Sequence, residues 1–248
     1  MYVPVLLNME AIPCKLLSKM IVTQYTNKGS RPENQDYTTY ELLENNHAIF
    51  VVADGMGGYS HGDVASRLVA DAIIDSVSAH FIHEADIVRL MAEAYDYAND
   101  SLAIKRIAMG GCEMGTVVVS LFYDGHAAHV TWLGDSRCYL FRNGKQMFCS
   151  QDHSILSQLK KIKTLRGYDE DRYASIVTRC VMGDDKLGKI ETVKMEILPN
   201  DVIILCTDGF HKELDVRILL NEKKSSRESL DAKADNMNDN YSYIKIVF

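Results

Sequence analysis

The sequence predicts an α+β fold whose sheets are antiparallel. Three observations carry that expectation: two early segments with helical periodicity, a later succession of strands joined by tight turns, and two apolar runs that each end in Asp-Gly. Strands that follow one another without intervening helices exclude βαβ alternation and point to an antiparallel meander. The 248 residues suffice for one large core or two small ones.

Taken in order, Ile21 to Thr26 reads as a first strand, closed by the turn Asn27-Lys28-Gly29-Ser30. Ile49 to Ala53 is an unbroken apolar run, which suits a strand buried on both faces, and Asp54-Gly55 ends it. Gly55, Gly57 and Gly58 then permit a tight turn and close approach of a ligand to the backbone. A helix begins near His61 to Asp63, with Val64, Ala65, Leu68, Val69, Ala72, Ile73 and Val77 on one face and Asp63 favourably placed in its first turn. A second helix spans about Asp86 to Lys105, with Leu90, Met91, Ala94, Tyr95, Ala98 and Leu102 on its stripe. His80 and His83, three apart, lack a nearby third ligand and read as surface residues.

Past Gly110-Gly111 the character changes. Thr116 to Tyr123 is rich in β-branched and aromatic residues, Asp124-Gly125 is a hairpin signal, and His126 to Leu133 returns. This Asp-Gly sits between two strands and reads as structural. Cys138 to Phe141 and Lys145 to Ser150 form a second hairpin about Asn143-Gly144. A short helix follows, capped by Ser154 or Asp152, and then a polar loop or flap from about Thr164 to Ser175. Ile190 to Ile197 is a further strand. Val202 to Thr207 repeats the apolar pattern and delivers Asp208-Gly209. Leu214 and Ile218 to Leu220 suggest a helix, residues 221 to 238 are polar and read as partly mobile, and Tyr241 to Phe248 is a last strand.

A net charge of −7 offers no basic footprint for nucleic acid or an anionic membrane. Lys160, Lys161, Lys163 and Arg166 read as a solvated helix face. The six cysteines show no CxxC spacing, so buried thiols in a reducing, cytoplasmic compartment are expected. No apolar stretch approaches the ~20 residues needed to span a bilayer. Residues 1 to 19 read as an extension that lacks a basic leading segment, with Met9 and Met20 as alternative starts, and residues 20 to 248 as a single domain.

Asp36, Asp54, Asp135, Asp208 and Asp239 each fall at a predicted strand edge or turn. Clustered carboxylates repel one another unless protonated or neutralised by cations. An all-oxygen set without matching His or Cys favours Mg²⁺ or Mn²⁺ over Zn²⁺. A pair of such ions can activate water and stabilise in-line displacement at phosphorus. Arg31 supplies a fork able to hold two phosphate oxygens. The residues themselves therefore point to a metal-dependent phosphoryl hydrolase.

The chain resembles the metal-dependent 2C-type (PPM) serine/threonine protein phosphatases, in a bacterial-like form, over about residues 20 to 248. The segments GSRPENQD (29–36), ADGMGGYSHGDVAS (53–66), MGTVVV (114–119) and LGDSRCYLFRNGK (133–145) follow the family's order. QDHS (151–154), TRCVMG (178–183), LCTDGF (205–210) and DNYSYIKIV (239–247) complete it. The resemblance implies a four-layer α-β-β-α sandwich, two antiparallel sheets flanked by helices, with the metal site at one end. It implies that Asp54 bridges two Mg²⁺ or Mn²⁺ ions, that Gly55 offers its carbonyl, and that Asp208 and Asp239 complete one ion's shell. On the same resemblance Asp36 would act mainly through bound water and Arg31 would hold the substrate phosphate. It further implies that a water made more acidic by the ions would attack a phosphoserine or phosphothreonine directly. Asp135 either helps hold a third, weaker ion or caps the turn before Ser136. The implied substrate is a phosphorylated protein, with a cognate kinase as counterpart and the enzyme a monomer.

The chain departs from the pattern at three places. Gln35 stands where relatives often carry Glu, which tunes the outer shell. Met56 replaces the His of animal relatives, which leaves protonation of the leaving group to a water or leaves that step unassisted. The stretch between Asp208 and Asp239 is compressed, and Asp235-Asn236 duplicates the Asp-Asn pair; the strand-like Tyr241 to Ile244 favours Asp239, with Asp235 the alternative. A rival reading is a pseudophosphatase that binds phosphoproteins as a regulatory module. It requires a lost ligand, and none is lost at Asp54, Asp208 or Asp239.

Overall fold

In the computed structural model the described residues are 20–56, 61–81, 86–162, 170–184, 186–221 and 226–248. The expectations placed on residues 1–19, on Gly57 and Gly58, on His83, and on Lys163 and Arg166 lie outside them, as does the first half of the expected flap.

In chain order the elements are β1 (Ile21–Asn27), β2 (Asp36–Leu42), β3 (Ala48–Gly55), α1 (Gly62–His80), α2 (Ile87–Ala108), β4 (Thr116–Tyr123), β5 (Ala127–Leu133), β6 (Arg137–Arg142) and β7 (Lys145–Cys149). There follow α3 (Ile155–Lys161), α4 (Glu170–Ala174), β8 (Thr192–Glu196), β9 (Val202–Cys206), α5 (Asp208–Glu213), α6 (Arg227–Asp231) and β10 (Tyr241–Val247). The strands form two five-stranded sheets, β1-β10-β9-β6-β7 and β2-β3-β4-β5-β8. Every strand pair in them is antiparallel.

Burial explains the layering. Along β3, side chains alternate between the two faces. Phe50 and Val52 face the other sheet and pack with Val119, Leu121, Leu140, Ile203, Leu205 and Ile244. Ile49, Val51 and Ala53 face the opposite way and pack under α1 and α2 with Val69, Ile73, Met91, Tyr95 and Leu102. On β9 the alternation repeats: Ile203 and Leu205 point between the sheets, while Ile204 and Cys206 pack with Phe210, Leu219, Leu230 and Tyr243. The α-β-β-α sandwich is thus the arrangement in which both uninterrupted apolar runs bury both faces.

Both long helices have the expected faces. Asp86 caps α2, accepting from the Val88 and Arg89 N–H groups. Tyr95 on its buried stripe donates its hydroxyl to the Thr131 carbonyl at 2.8 Å. Ser154, not Asp152, caps α3; Asp152 instead takes a two-pronged ion pair with Arg137. Asp124 is structural, as read: its carboxylate accepts from the His126 and Ala127 N–H groups and meets His129 Nε2 at 2.7 Å. Cys138 and Cys206 are buried free thiols; Cys112, Cys149 and Cys180 are free and half-buried.

Four expectations are corrected. The four successive strands are not one meander: β4 and β5 form a hairpin in one sheet, and β6 and β7 form a hairpin in the other. The turn Gly134-Asp135-Ser136 carries the chain between sheets, and β6 pairs with β9. A strand not anticipated, β2, pairs with β3 along its whole length. The helix expected after Gly209 is divided into α5 and a 3-10 turn at Val216–Leu220, because Leu214 is extended and Asp215 caps a new start. Within the polar stretch, residues 226 to 238 are anchored by Leu230 and Met237, both buried in the outer core.

Candidate functional site

The strand ends converge on one open cavity of about 550 Å³, lined among others by Arg31, Asp54, Gly55, Met56, Asp135, Asp208 and Asp239. Pairing between β2 and β3 sets the first two carboxylates. Asp36 opens β2 directly opposite Asp54, near the end of β3, so the two lie side by side on the ladder. Asp36 is buried beneath the cavity. Its Oδ2 accepts a hydrogen bond from the Thr207 hydroxyl at 2.9 Å, while its Oδ1 is buried with no hydrogen-bond partner. The backbone carbonyl of Asp54 is fixed by the Thr116 hydroxyl at 2.7 Å. Gly55 has no room for a side chain: a Cβ there would lie 2.3 Å from the Gly62 carbonyl oxygen. The same residue donates its N–H to the Gln35 carbonyl at 3.0 Å.

Asp208 is the first residue of α5, separated from β9 by Thr207 alone. Gly209 follows because a Cβ there would lie 2.1 Å from the Asn240 carbonyl oxygen, the point where β10 enters. Asn240 ties the loop of Arg31 to that entry. Its side chain accepts from the Gln35 N–H at 2.8 Å and donates to the carbonyls of Lys28 and Glu33, each at 2.9 Å. Asp239, next to it, faces the cavity and takes an ion pair from Arg31 Nη2 at 3.0 Å. Asp235 is exposed in a 3-10 turn and does not line the cavity. Asp135 is buried at the crossing between sheets.

Crowding of like charges leaves its mark on the acidic groups. Burial, opposed only in part by hydrogen bonds and reinforced by Asp208 and Asp239, pushes Asp36 up to about 7. Burial, then the charges of Asp36 and Asp208, raises Asp54 well above the usual carboxylate range. Burial and Asp208 push Asp135 up to about 6 despite Lys212. Asp208 goes the other way: burial works upward, but the Lys212 ammonium holds it below its ordinary value. Lys212 donates to Asp208 Oδ2 at 2.6 Å and to Asp135 Oδ2 at 3.2 Å. Among the described residues no cationic side chain pairs with Asp54, whereas Lys212 pairs with Asp208, and the two carboxylates shift in opposite directions.

These shifts set a pH dependence. A carboxyl raised in the folded state binds its proton more tightly there than in the unfolded chain, so its contribution is complete below about pH 4 and is lost as pH rises through about 7. With divalent ions chelated, thermal stability is therefore expected to fall as pH rises from about 4 to about 7, by up to about 4 kcal/mol for Asp36. Melting curves in chelator across that range check it; stability that rises with pH would contradict the crowding.

His153 and His211 are structural. Burial lowers both to about 4; His153 accepts from the Gly134 N–H, and His211 meets the Asp135 carbonyl oxygen. The structure thus brings together Arg31, Asp36, Asp54, Gly55, Asp135, Asp208 and Asp239. Sequence reasoning passed over Thr207, Asn240 and Lys212. For Lys212 a signal was available: it lies four residues after Asp208, one helical turn away.

Known proteins resemble the chain over most of its length. A family model described as "Protein phosphatase 2C" matches residues 25–242. The serine/threonine phosphatase stp of Listeria welshimeri is 27% identical over 216 residues, covering 83% of this chain and 85% of that protein. The crystal structure of serine/threonine phosphatase Stp1 from Staphylococcus aureus superimposes with a TM-score of 0.78 at 22% identity, covering 93% of this chain and 95% of that one. The catalytic domain of PstP, crystallised with manganese ions, gives a TM-score of 0.73 at 22% identity, covering 92% and 97% of the two chains. With the family model spanning most of its length, the chain belongs to the protein phosphatase 2C family.

Proposed function

We propose that this chain is a metal-dependent protein serine/threonine phosphatase that hydrolyses phosphoserine and phosphothreonine. The observation that carries this reading is the convergence of carboxylates from separate strand ends on one open cavity with Arg31 at its edge. A pair of Mg²⁺ or Mn²⁺ ions fits the residues present. The donors are all oxygen, and Asp36 Oδ1 is buried with no hydrogen bond to satisfy it. The mutual repulsion that raises Asp36 and Asp54 is also what cations relieve. Asp54 and Gly55 would hold both ions, Asp208 and Asp239 would complete one shell, and Asp36 would act through water. When bound, such ions supply a more acidic water and charge stabilisation at phosphorus.

The chain's own residues do the rest. The Arg31 fork, aimed by its Nε bond to the Asn238 carbonyl at 3.1 Å, holds phosphate oxygens. A water oxygen forms a bond to phosphorus as the bond from phosphorus to the seryl or threonyl oxygen breaks. That leaving oxygen needs a proton. Met56 on the cavity wall has none to give, and the neutral His153 and His211 are engaged elsewhere, so water provides it. The free thiols among the described residues and the net charge of −7 suit a cytoplasmic enzyme acting on phosphoproteins opposite a serine/threonine kinase. Among the described residues no helix is long and apolar enough to cross a membrane.

Hydrolysis of a phosphothreonine peptide with Mn²⁺, repeated with chelator, tests the reading. Phosphate release that depends on metal is expected; none from folded protein under either Mg²⁺ or Mn²⁺ would overturn it. Arg31→Ala is expected to raise KM roughly 10-fold or more, the loss of one charge-assisted fork, with kcat less affected.

A further inference from the structure

Lys212 stands in an unusual place for a basic side chain, among the acidic groups of the site. It lies one turn into α5, so its ammonium returns to the carboxylate that begins the helix, Asp208, at 2.6 Å. The same ammonium reaches Asp135, on the turn that links the two sheets, at 3.2 Å. The lysine side chain is 38% exposed, Asp208 22% and Asp135 only 5%. Two partly desolvated carboxylates from different elements thus share one cation that is covalently part of the chain. His211 strengthens the junction by meeting the Asp135 carbonyl oxygen at 2.9 Å, which couples the first turn of α5 to the crossing turn.

We propose that Lys212 is a resident cation of this centre: its ammonium takes the position between Asp208 and Asp135 that a further divalent ion would need. The proposal rests on the reading of Asp208 as a ligand given above. A hard cation binds carboxylate oxygen at about 2.0–2.1 Å. It could not approach Asp208 Oδ2 and Asp135 Oδ2 together without displacing an ammonium already bonded to both. Asp135 is then an anchor for the lysine, and the chain works with two ions. Lys212 is a positioning residue: it holds Asp208 charged and in place.

Counting bound Mn²⁺ by equilibrium dialysis at millimolar metal tests this independently of turnover. The unaltered chain is expected to hold two ions, and Lys212→Met to gain a third, which Asp135→Asn added to Lys212→Met removes again. Lys212→Arg, which keeps the charge, is expected to stay at two, and circular dichroism verifies the folding of each variant. Three ions on the unaltered chain, or two on both it and a folded Lys212→Met, would overturn the assignment of Lys212 while leaving the phosphatase reading intact. Fewer than two on the unaltered chain would overturn both.

Discussion

Asp54→Asn is expected to remove at least about a thousandfold of the turnover, since several kcal/mol of charge stabilisation at phosphorus depend on this carboxylate. The same change is expected to leave the fold intact and to make the chain more stable in chelator. Asn matches Asp in size, and the bond from Thr116 is to the Asp54 backbone, so β3 keeps its register. What disappears is a negative charge that Asp36, Asp208 and Asp135 all oppose. Relief of that repulsion is expected to raise stability without metal, while affinity for metal falls. Urea unfolding in chelator beside a phosphopeptide assay in Mn²⁺ reads both quantities. A variant that keeps normal turnover with metal present, or that unfolds more easily than the parent in chelator, would show that Asp54 is a structural residue.

That opposition between stability and activity explains which parts of the site were legible. Asp54 and Asp208 were visible because each follows an apolar run whose two faces are both buried, a pattern that belongs to the central strands of a sandwich. Asp36 was visible as a carboxylate near a turn, but the strand that it opens was not. β2, with the sequence DYTTYEL, is an edge strand with a largely exposed far half, so its apolar content is too low to announce a strand. Yet the ladder from β2 to β3 is what sets Asp36 against Asp54.

The single meander failed for a related reason. Asp124-Gly125 and Asn143-Gly144 each specify a hairpin locally, but nothing local states which sheet a hairpin joins. The choice is made by the inner faces: Cys138 and Leu140 of β6 meet Ile203 and Leu205 of β9 within the central core. That placement lets the crossing turn present Asp135 to Asp208 and so creates the seat of Lys212. A pairing that depends on two non-adjacent segments could not be read from either one.

Arg142→Met is expected to lower the urea midpoint clearly while leaving metal binding unchanged, a contrast with the acidic centre. Asp201 precedes β9, at the end remote from Asp208, and only 1% of its side chain is exposed. Arg142, at the end of β6, meets both its oxygens, at 2.9 and 2.7 Å, and donates to the Glu196 carbonyl at 3.1 Å. The Leu198 N–H completes the set at 2.8 Å. Without the guanidinium, Asp201 would remain buried with a charge that a single amide cannot satisfy, and β6, β8 and β9 would lose their common clasp. Adding Asp201→Asn should recover part of the loss, because it removes the stranded charge. The urea midpoint at constant slope measures the change. A single variant within about 1 kcal/mol of the parent would mean that the pair is screened by water and contributes no more than a surface bridge. The expected result instead separates two uses of carboxylate in one chain: at this end of β9 a buried acid is fully answered by protein, and at the other end several acids are left for cations to answer.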